Sequence, residues 1–424
     1  MPKEGREEEA SKASETSSIR RRPRTDDGGR TDQVEASRHM AEAESHGIVI
    51  VGGGICGLAT ALALHRKGIP SLVLEKSRSL RADGAGIGVH ANGWRVLEQL
   101  GVAAELRETA QLITVYHDVW QQGDKTSREK VPVRMELRCL NRKDLIEALA
   151  KDIPAGAIRF GCRVAAVAAD PGGGNGAVLT MADGTAMKAK VLIGCEGTYS
   201  AVARYLGLSP VRTIPRPVLR GFTWYPHGHS FDTEFLRLRV GGFFIGRLTI
   251  TDNLDLKRVR DLALKDLQDV ECPAEIIEIV RGSDPESLNL VTDFWYRPPW
   301  EVVLGSFQRG AVTVAGDAMH AMGPFIGQGG SAGLEDAVVL ARSLARAAVD
   351  DSDNAREKKV VGEAIGEYVR ERRPRLALLS LESFVMGALL VRSPSPVTKL
   401  VCVAVLILLG SKSLRHANYD CGRL

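Results

Sequence analysis

The sequence predicts an α/β fold in three layers: a parallel sheet between helices, interrupted by an inserted, mainly antiparallel sheet and closed by a helical C-terminal region. Three observations predict it. "IVIVGGGICGLATALALHRKGIPSLVLEK" (48–76) reads as strand, glycine turn, helix, strand. "GAVTVAGDAMHAMGPFIGQGGSAGLEDAVVLARSLARAA" (310–348) repeats strand, glycine-rich loop and helix far along the chain. Between them, from about 214 to 299, aromatic-containing segments such as "RGFTWYP", "FLRLRV" and "FFIGRLTIT" read as antiparallel strands of a second region. The expected organisation is therefore a discontinuous first domain (46–213 and 300–348), an inserted sheet (214–299) and C-terminal helices (349–424).

In the first stretch, residues 49–51 form a short apolar strand, and Gly52, Gly54 and Gly57 follow in G-x-G-x-x-G spacing. Leu58, Ala61, Leu62 and Leu64 then recur at helical intervals until Gly68 and Pro70 stop the helix. A second strand ends at Glu75, with Lys76 just beyond. Gly52 allows the tight turn, Gly54 lets a pyrophosphate approach the backbone, and Gly57 permits close helix–strand packing. The phosphates meet the positive end of the helix, and Glu75, 23 positions after Gly52, can accept both ribose hydroxyls. Strand, helix and acid in the right places make this a Rossmann-like dinucleotide site; the motif alone does not choose between FAD and NAD(P).

The next segments are ordinary in kind. "GAGIGVHANGWRVLEQLGV" (84–102) predicts an open glycine loop and a short helix closed by Gly101. "LRCLNRKDLIEALA" (137–150) offers Asn141 as a helix cap, Arg142 in the first turn, and Leu145 and Leu149 on the buried face. "AVLTMADGTAMKAKVLIG" (177–194) predicts a hairpin on Asp183-Gly184 running into a short buried strand.

Composition narrows the function classes. Lys plus Arg number 56 against 52 Asp plus Glu, and no basic block interleaves with aromatics, which argues against a nucleic-acid partner. The seven cysteines include no C-x-x-C pair, so neither a disulfide framework nor a zinc site is suggested, and free thiols in a reducing compartment are expected. Residues 1–45 have the composition of a disordered extension; a compact domain could begin near Met40. They fit neither a secretory signal nor a transit peptide. The cytoplasm is the expected location, with the plastid and a peripheral membrane position as alternatives. "LVCVAVLILL" (400–409) would span about 15 Å as a helix, half of a bilayer core, and reads as buried or as a peripheral membrane contact.

The stretch 310–348 selects the cofactor. Gly316-Asp317 close a buried strand, and "GQGGS" opens a helix whose apolar residues fall at 334, 337, 338, 341, 344, 345 and 348. A second helix N-terminus, rich in free N–H groups, is not needed for NAD but suits a cofactor with a ribityl chain and a redox-active ring. Asp317 can bind a ribityl hydroxyl.

With the motifs at 52–57, "GCEG" at 194–197 and "GDAMHAMGPFIGQG" at 316–329, the chain resembles the FAD-dependent monooxygenases that include para-hydroxybenzoate hydroxylase, salicylate hydroxylase and zeaxanthin epoxidase. Its terminal "NYDCGRL" is similar to the plant branch. The resemblance implies that Gly52, Gly54, Gly57, Glu75 and Lys76 hold the ADP half of FAD and that Arg142 approaches the flavin. It implies further that Asp317 binds the ribityl chain, that Pro324 lies by the isoalloxazine ring, and that Gly327, Gln328, Gly329 and Gly330 give it backbone donors. It places Glu196 at the second motif, toward FAD and NAD(P)H, where the family usually has aspartate; the extra methylene puts that reach in doubt. His320 is expected to be structural, Met319 and Met322 core or pocket lining, and Cys56 and Cys195 packing residues.

The implied reaction is hydroxylation or epoxidation of a small apolar or aromatic molecule, with O2 as oxidant and NAD(P)H as reductant, through a flavin C4a-hydroperoxide. No side chain is singled out as a catalytic acid or base. A flavoprotein reductase or dehydrogenase without oxygen insertion, or a poorly coupled or non-catalytic flavoprotein, is the alternative. A second departure from the family, a shortened connection after Asn253, bears on the substrate sheet and on that alternative.

Overall fold

The computed structural model describes residues 44–80, 86–122, 125–171, 176–220, 227, 234–240, 256–269, 272, 274–284, 288–348, 354–391, 395–410 and 413–424. All belong to the compact unit 43–424. The expected N-terminal extension up to residue 43, the segments 221–226 and 241–250, and the suspected gap after Asn253 lie outside the described residues.

The main sheet is built around β1 (Glu44–Val51), flanked by β2 (Ser71–Glu75) on one side and β11 (Ala186–Gly194) on the other. Val49, Ile50 and Val51 are buried, as a strand covered on both faces requires. The strand starts five residues before its apolar run, because Glu44 to His46 pair in parallel with Met187 to Ala189; polar residues at a sheet end carry no apolar signal. Beyond β2 lies β8 (Ile158–Phe160), and beyond β11 lies β16 (Val312–Val314), both parallel. β10 (Ala177–Met181) forms the expected hairpin with β11; Gly184 sits at φ +86°, and Asp183 Oδ1 accepts hydrogen bonds from the N–H and hydroxyl of Thr185.

The order β16-β11-β1-β2-β8 brings the C-terminal ends of strands distant in sequence to one edge. Helix α1 (Ile55–Arg66) crosses from β1 to β2, and α10 (Gly329–Ala348) packs against it. Leu58, Leu62 and Leu64 of α1 and Leu334, Val338 and Ala341 of α10 are fully or almost fully buried.

The segment expected as an open loop before the 91–100 helix contains a strand, β3 (Gly86–His90). It pairs antiparallel with β7 (Leu137–Asn141), placing Gly86 opposite Asn141. Its alternating glycines hid a ladder that the partner strand supplies. Helix α2 (Ala91–Leu100) ends at Gly101, φ +80°, and Asn141 caps α4 (Arg142–Lys151) by accepting from Lys143 N–H at 2.9 Å. The short α3 (Ala103–Thr109) and the hairpin β5 (Val115–Gln122) and β6 (Lys125–Pro132) carried no sequence expectation; residues 127–132 of β6 are all exposed and leave no alternation to read.

The inserted region contributes β12 (Arg212–Arg220) and β14 (Asn289–Tyr296), an antiparallel pair. It also contributes β13 (Glu234–Val240), which pairs with β5 in parallel rather than antiparallel, since a strand joining a hairpin edge across a long connection is free to run either way. The long α11 (Asn354–Val391) packs on α10, and α12 (Pro396–Gly410) packs on α11. Among the described residues no helix is long and apolar enough to cross a membrane.

Candidate cofactor site

The first glycine turn is fixed by steric necessity. Gly52 has φ +105°, and a Cβ there would stand 2.4 Å from the carbonyl oxygen of Cys195. A Cβ on Gly57 would stand 1.9 Å from the carbonyl oxygen of Gly52. Gly54, which caps α1, has open space where a Cβ would be. Closed, closed and open are what a phosphate-bearing ligand over the helix N-terminus needs. Glu75 is buried at the end of β2; its Oε2 accepts from Gly53 N–H at 2.7 Å and its Oε1 from Ser77 N–H at 2.9 Å. Lys76 is exposed beside it.

The second motif joins this turn through the sheet. Cys195 N–H donates to Val51 O at 2.7 Å, and Ala315 N–H to Gly194 O at 2.9 Å. Glu196 does not project outward: its Oε2 accepts from the Ser200 hydroxyl at 2.5 Å and its Oε1 from Ala201 and Val202 N–H at 3.0 and 3.3 Å. Burial raises its pKa, while the hydroxyl and backbone donors act the other way. The longer side chain curls back to cap the Ala201–Tyr205 helix, which bears on the reach that the extra methylene put in doubt.

Cys56, in the first turn of α1, is where the three motifs meet. Its Sγ lies 3.9 Å from Cys195 Sγ. A Cβ added to Gly316 would come within 2.9 Å of Cys56 Cβ, and one added to Gly333 within 3.3 Å. The Cys195 thiol beside it, together with burial, pushes the Cys56 pKa well up, so it remains a thiol and packs. The expected packing role is the observed one.

Gly316 turns the chain at φ +61° into Asp317–His320. Asp317 is exposed, and its carboxylate has no side-chain partner among the described residues. His320 is fully buried, and its Nε2 lies 2.6 Å from Asp336 Oδ2. That same oxygen accepts from Gly316 N–H at 2.9 Å, and Asp336 Oδ1 accepts from Arg372 Nε at 2.7 Å. Arg372 also donates to Glu335 Oε2 at 2.7 Å. Asn92 Nδ2 bridges Glu335 Oε1, at 2.7 Å, and Gln328 Oε1, at 2.9 Å. Burial alone would raise the Asp336 pKa; His320 and Arg372 overcome that and hold it far below the usual carboxylate range. Burial would likewise lower that of Arg372, and the two acids keep it high. His320 is thus a structural member of a buried network that sequence reading missed. Its trace in the sequence was two adjacent acids, Glu335 and Asp336, inside the otherwise apolar run 332–341.

The network supports the loop before α10. Gly327, φ +62°, is exposed, and Gln328 is fully buried. Gly329 and Gly330 open α10 with N–H groups that have no intrahelical acceptor. A Cβ on Gly330 would meet Ile87 of β3 at 3.1 Å, and one on Gly327 would meet His90 Cε1 at 3.3 Å. His90, unmarked by any motif, therefore borders this loop. Burial and neighbouring His416 lower its pKa to about 4 against a favourable bond to the Gly327 backbone, so its ring is neutral at pH 7. The β3–β7 register sets Asn141 opposite Gly86, and Arg142, half-buried, follows it as the first residue of α4. Pro324 is exposed at the start of the Pro324–Ile326 turn.

Next to this turn is a recess lined by Ile214, Tyr296, Met322, Phe325, Ser380 and Phe384. Phe294 of β14 stands edge-on to Phe325, with centroids 5.8 Å apart. Met319 is fully buried and Met322 lines the recess, as expected of core and pocket methionines. Arg297 and Ser380 also line it; Arg297 Nε and Ser380 Oγ are buried without a hydrogen-bond partner among the described residues.

Comparison with known proteins agrees with this geometry. A family model for the FAD binding domain matches residues 46–218 and 273–377. Monooxygenase 1 of Arabidopsis thaliana is 46% identical over 406 residues, covering 90% of this chain and 100% of that protein. Monooxygenase 2 of the same plant is 32% identical over 416 residues, covering 91% and 100%. The crystal structure of Klebsiella pneumoniae HpxO with FAD and uric acid has the same fold, with a TM-score of 0.65 at 20% identity, covering 89% of this chain and 97% of that one. The glycine cradle, the exposed carboxylate of Asp317 and these matches give one answer: the chain belongs to the FAD-dependent, aromatic-hydroxylase-type monooxygenase family, an oxidoreductase with FAD as its cofactor.

Proposed function

We propose that this protein inserts one oxygen atom from O2 into a small aromatic substrate, with NAD(P)H as the reductant. The observation that carries the reading is the convergence of two glycine-rich helix N-termini on Cys56, with the aromatic recess beside the second. Gly52, Gly54 and Gly57 cradle the diphosphate, Glu75 accepts ribose hydroxyls, and Lys76 offers charge at the rim. Asp317 accepts a ribityl hydroxyl. Pro324 and the N–H groups of Gly327, Gln328, Gly329 and Gly330 border the ring system, with the neutral His90 at the end of β3 and Arg142 at the start of α4. When bound and reduced, FAD supplies the activation of O2.

The protein's own contribution is orientation and exclusion of water. Phe325, Tyr296 and Phe384 supply an apolar wall, and the unpartnered Nε of Arg297 and hydroxyl of Ser380 suit a substrate bearing an oxygen acceptor. The planar uric acid in the HpxO complex is a ligand of that general shape. The test is turnover under 18O2 with candidate phenolic and heteroaromatic acids: a product carrying one labelled atom supports the reading. Stoichiometric NAD(P)H oxidation with unlabelled product would replace it with a reductase or oxidase.

A further inference from the structure

We propose that the outer face of α12 docks this protein on the surface of an anionic lipid bilayer. One side of α12 lies on the protein, where Cys402 is buried and Val405 and Leu406 are half-buried. The other side presents Val397, Leu400, Val401, Val403, Ile407 and Leu408 to solvent. Steps of three and four residues join these positions into one continuous face. Leu408 is 81% exposed, Ile407 71%, Val397 70% and Leu400 69%, whereas surface helices ordinarily turn polar residues outward. From Leu400 to Leu409 the sequence holds no charged residue at all.

Length and charge select the partner. The 15 residues of α12 make a helix of roughly 22 Å against a bilayer core of roughly 30 Å, which suits a helix lying in the interface rather than crossing it. From Ser383 to Tyr419 the sequence contains no Asp or Glu, while Arg392, Lys399, Lys412 and Arg415 give the run a formal charge of +4. The whole chain carries +4, so the rest of it sums to zero (+4 less +4). The apolar face thus lies within the part of the chain that holds all of its excess positive charge. A second copy would oppose that charge with its like, whereas an anionic lipid surface complements it. The inference does not rest on the proposed reaction.

The test is sedimentation of the full-length, FAD-loaded protein with vesicles of phosphatidylcholine, with and without phosphatidylserine. The expected result is partition onto phosphatidylserine-containing vesicles at least about tenfold stronger than onto phosphatidylcholine alone, and reduced by salt. Leu400→Ser, Ile407→Ser and Leu408→Ser combined should abolish it while leaving the flavin spectrum and melting temperature unchanged, since all three side chains are exposed. Lys399→Glu alone should weaken binding about tenfold without touching the apolar face. Absence of wild-type binding, or equal binding by the triple variant, overturns the proposal. So does light scattering that shows a wild-type dimer split by the triple variant, because a second copy would then cover the face.

Discussion

The two glycine-rich helix N-termini of this site look alike in sequence and are held by opposite physics. The first, at α1, is held by contact: the backbone of Gly52 and Gly57 lies where no side chain fits, and the helix behind it is buried apolar packing. The second, at α10, is held by charge: Glu335, Asp336, Arg372, His320, Asn92 and Gln328 form a buried polar network under the loop. Contact tolerates few residue types at few positions. A buried network tolerates the loss of none of its members, because each would leave another unpaired. The lesson is that similar loops fail differently, and four experiments separate them.

The largest effect is expected at Arg372→Met. It leaves two buried acids without their cation and should cost about 3–5 kcal/mol in urea unfolding, with loss of flavin. Combining it with Glu335→Gln and Asp336→Asn should restore part of the stability; no restoration would show that the network is not electrostatic in origin.

Gly57→Ala should come next. Its Cβ would meet Gly52 O at 1.9 Å, so the turn must open, at a cost of about 1–3 kcal/mol in stability. The purified variant should be folded by circular dichroism and colourless. Gly54→Ala faces open space in the protein alone, so it should keep its melting temperature and lose flavin affinity only. Equal melting losses in the two variants would remove the distinction between a packing glycine and a clearance glycine.

Asp317→Ala isolates binding from folding at the second loop. The side chain is exposed, so stability without flavin should be unchanged, while FAD affinity falls by the about 1.5–3 kcal/mol of a charge-assisted hydrogen bond. His320→Ala, by contrast, should lower stability first. Titration of each apoprotein with FAD, followed by flavin fluorescence, separates the two.

The remaining effect concerns pH. The folded-state pKa of His90 is lowered to about 4 by burial and by His416, whereas the unfolded chain protonates near 6.5. Between those values the unfolded state binds the extra proton, so stability is intact above pH 6.5 and falls with pH toward 4, by up to about 1.4 kcal/mol per unit. His90→Asn should flatten that slope relative to wild type in urea titrations at pH 5 and 7. An identical slope would show that His90 is not the titrating group.

Much of this was legible in the sequence for a definite reason. G-x-G-x-x-G, Asn141, Gly101 and Asp183-Gly184 act on neighbours within a few residues, so local spacing suffices to read them. The place of Glu75 was legible too, because one helix and one short strand separate it from Gly52. His90 was not, since it borders Gly327 only after β3 pairs with β7, and its glycine-rich strand has no apolar alternation. The contacts of Glu196 were not legible either, since its carboxylate caps a helix that begins only after the chain turns beyond β11.

By itself, then, the sequence determined the dinucleotide turn, the second glycine loop with Asp317 at its start and the cofactor class, because each is written in short-range backbone requirements. Only the tertiary structure decided that the three motifs meet at Cys56 and that Arg372, 36 positions after Asp336, neutralises the acids under the second glycine loop. It also decided that one face of the apolar run, with Leu400, Ile407 and Leu408, is exposed. The physical reason is common to all three: burial and charge pairing depend on what the rest of the chain brings alongside, and no local spacing encodes that neighbour.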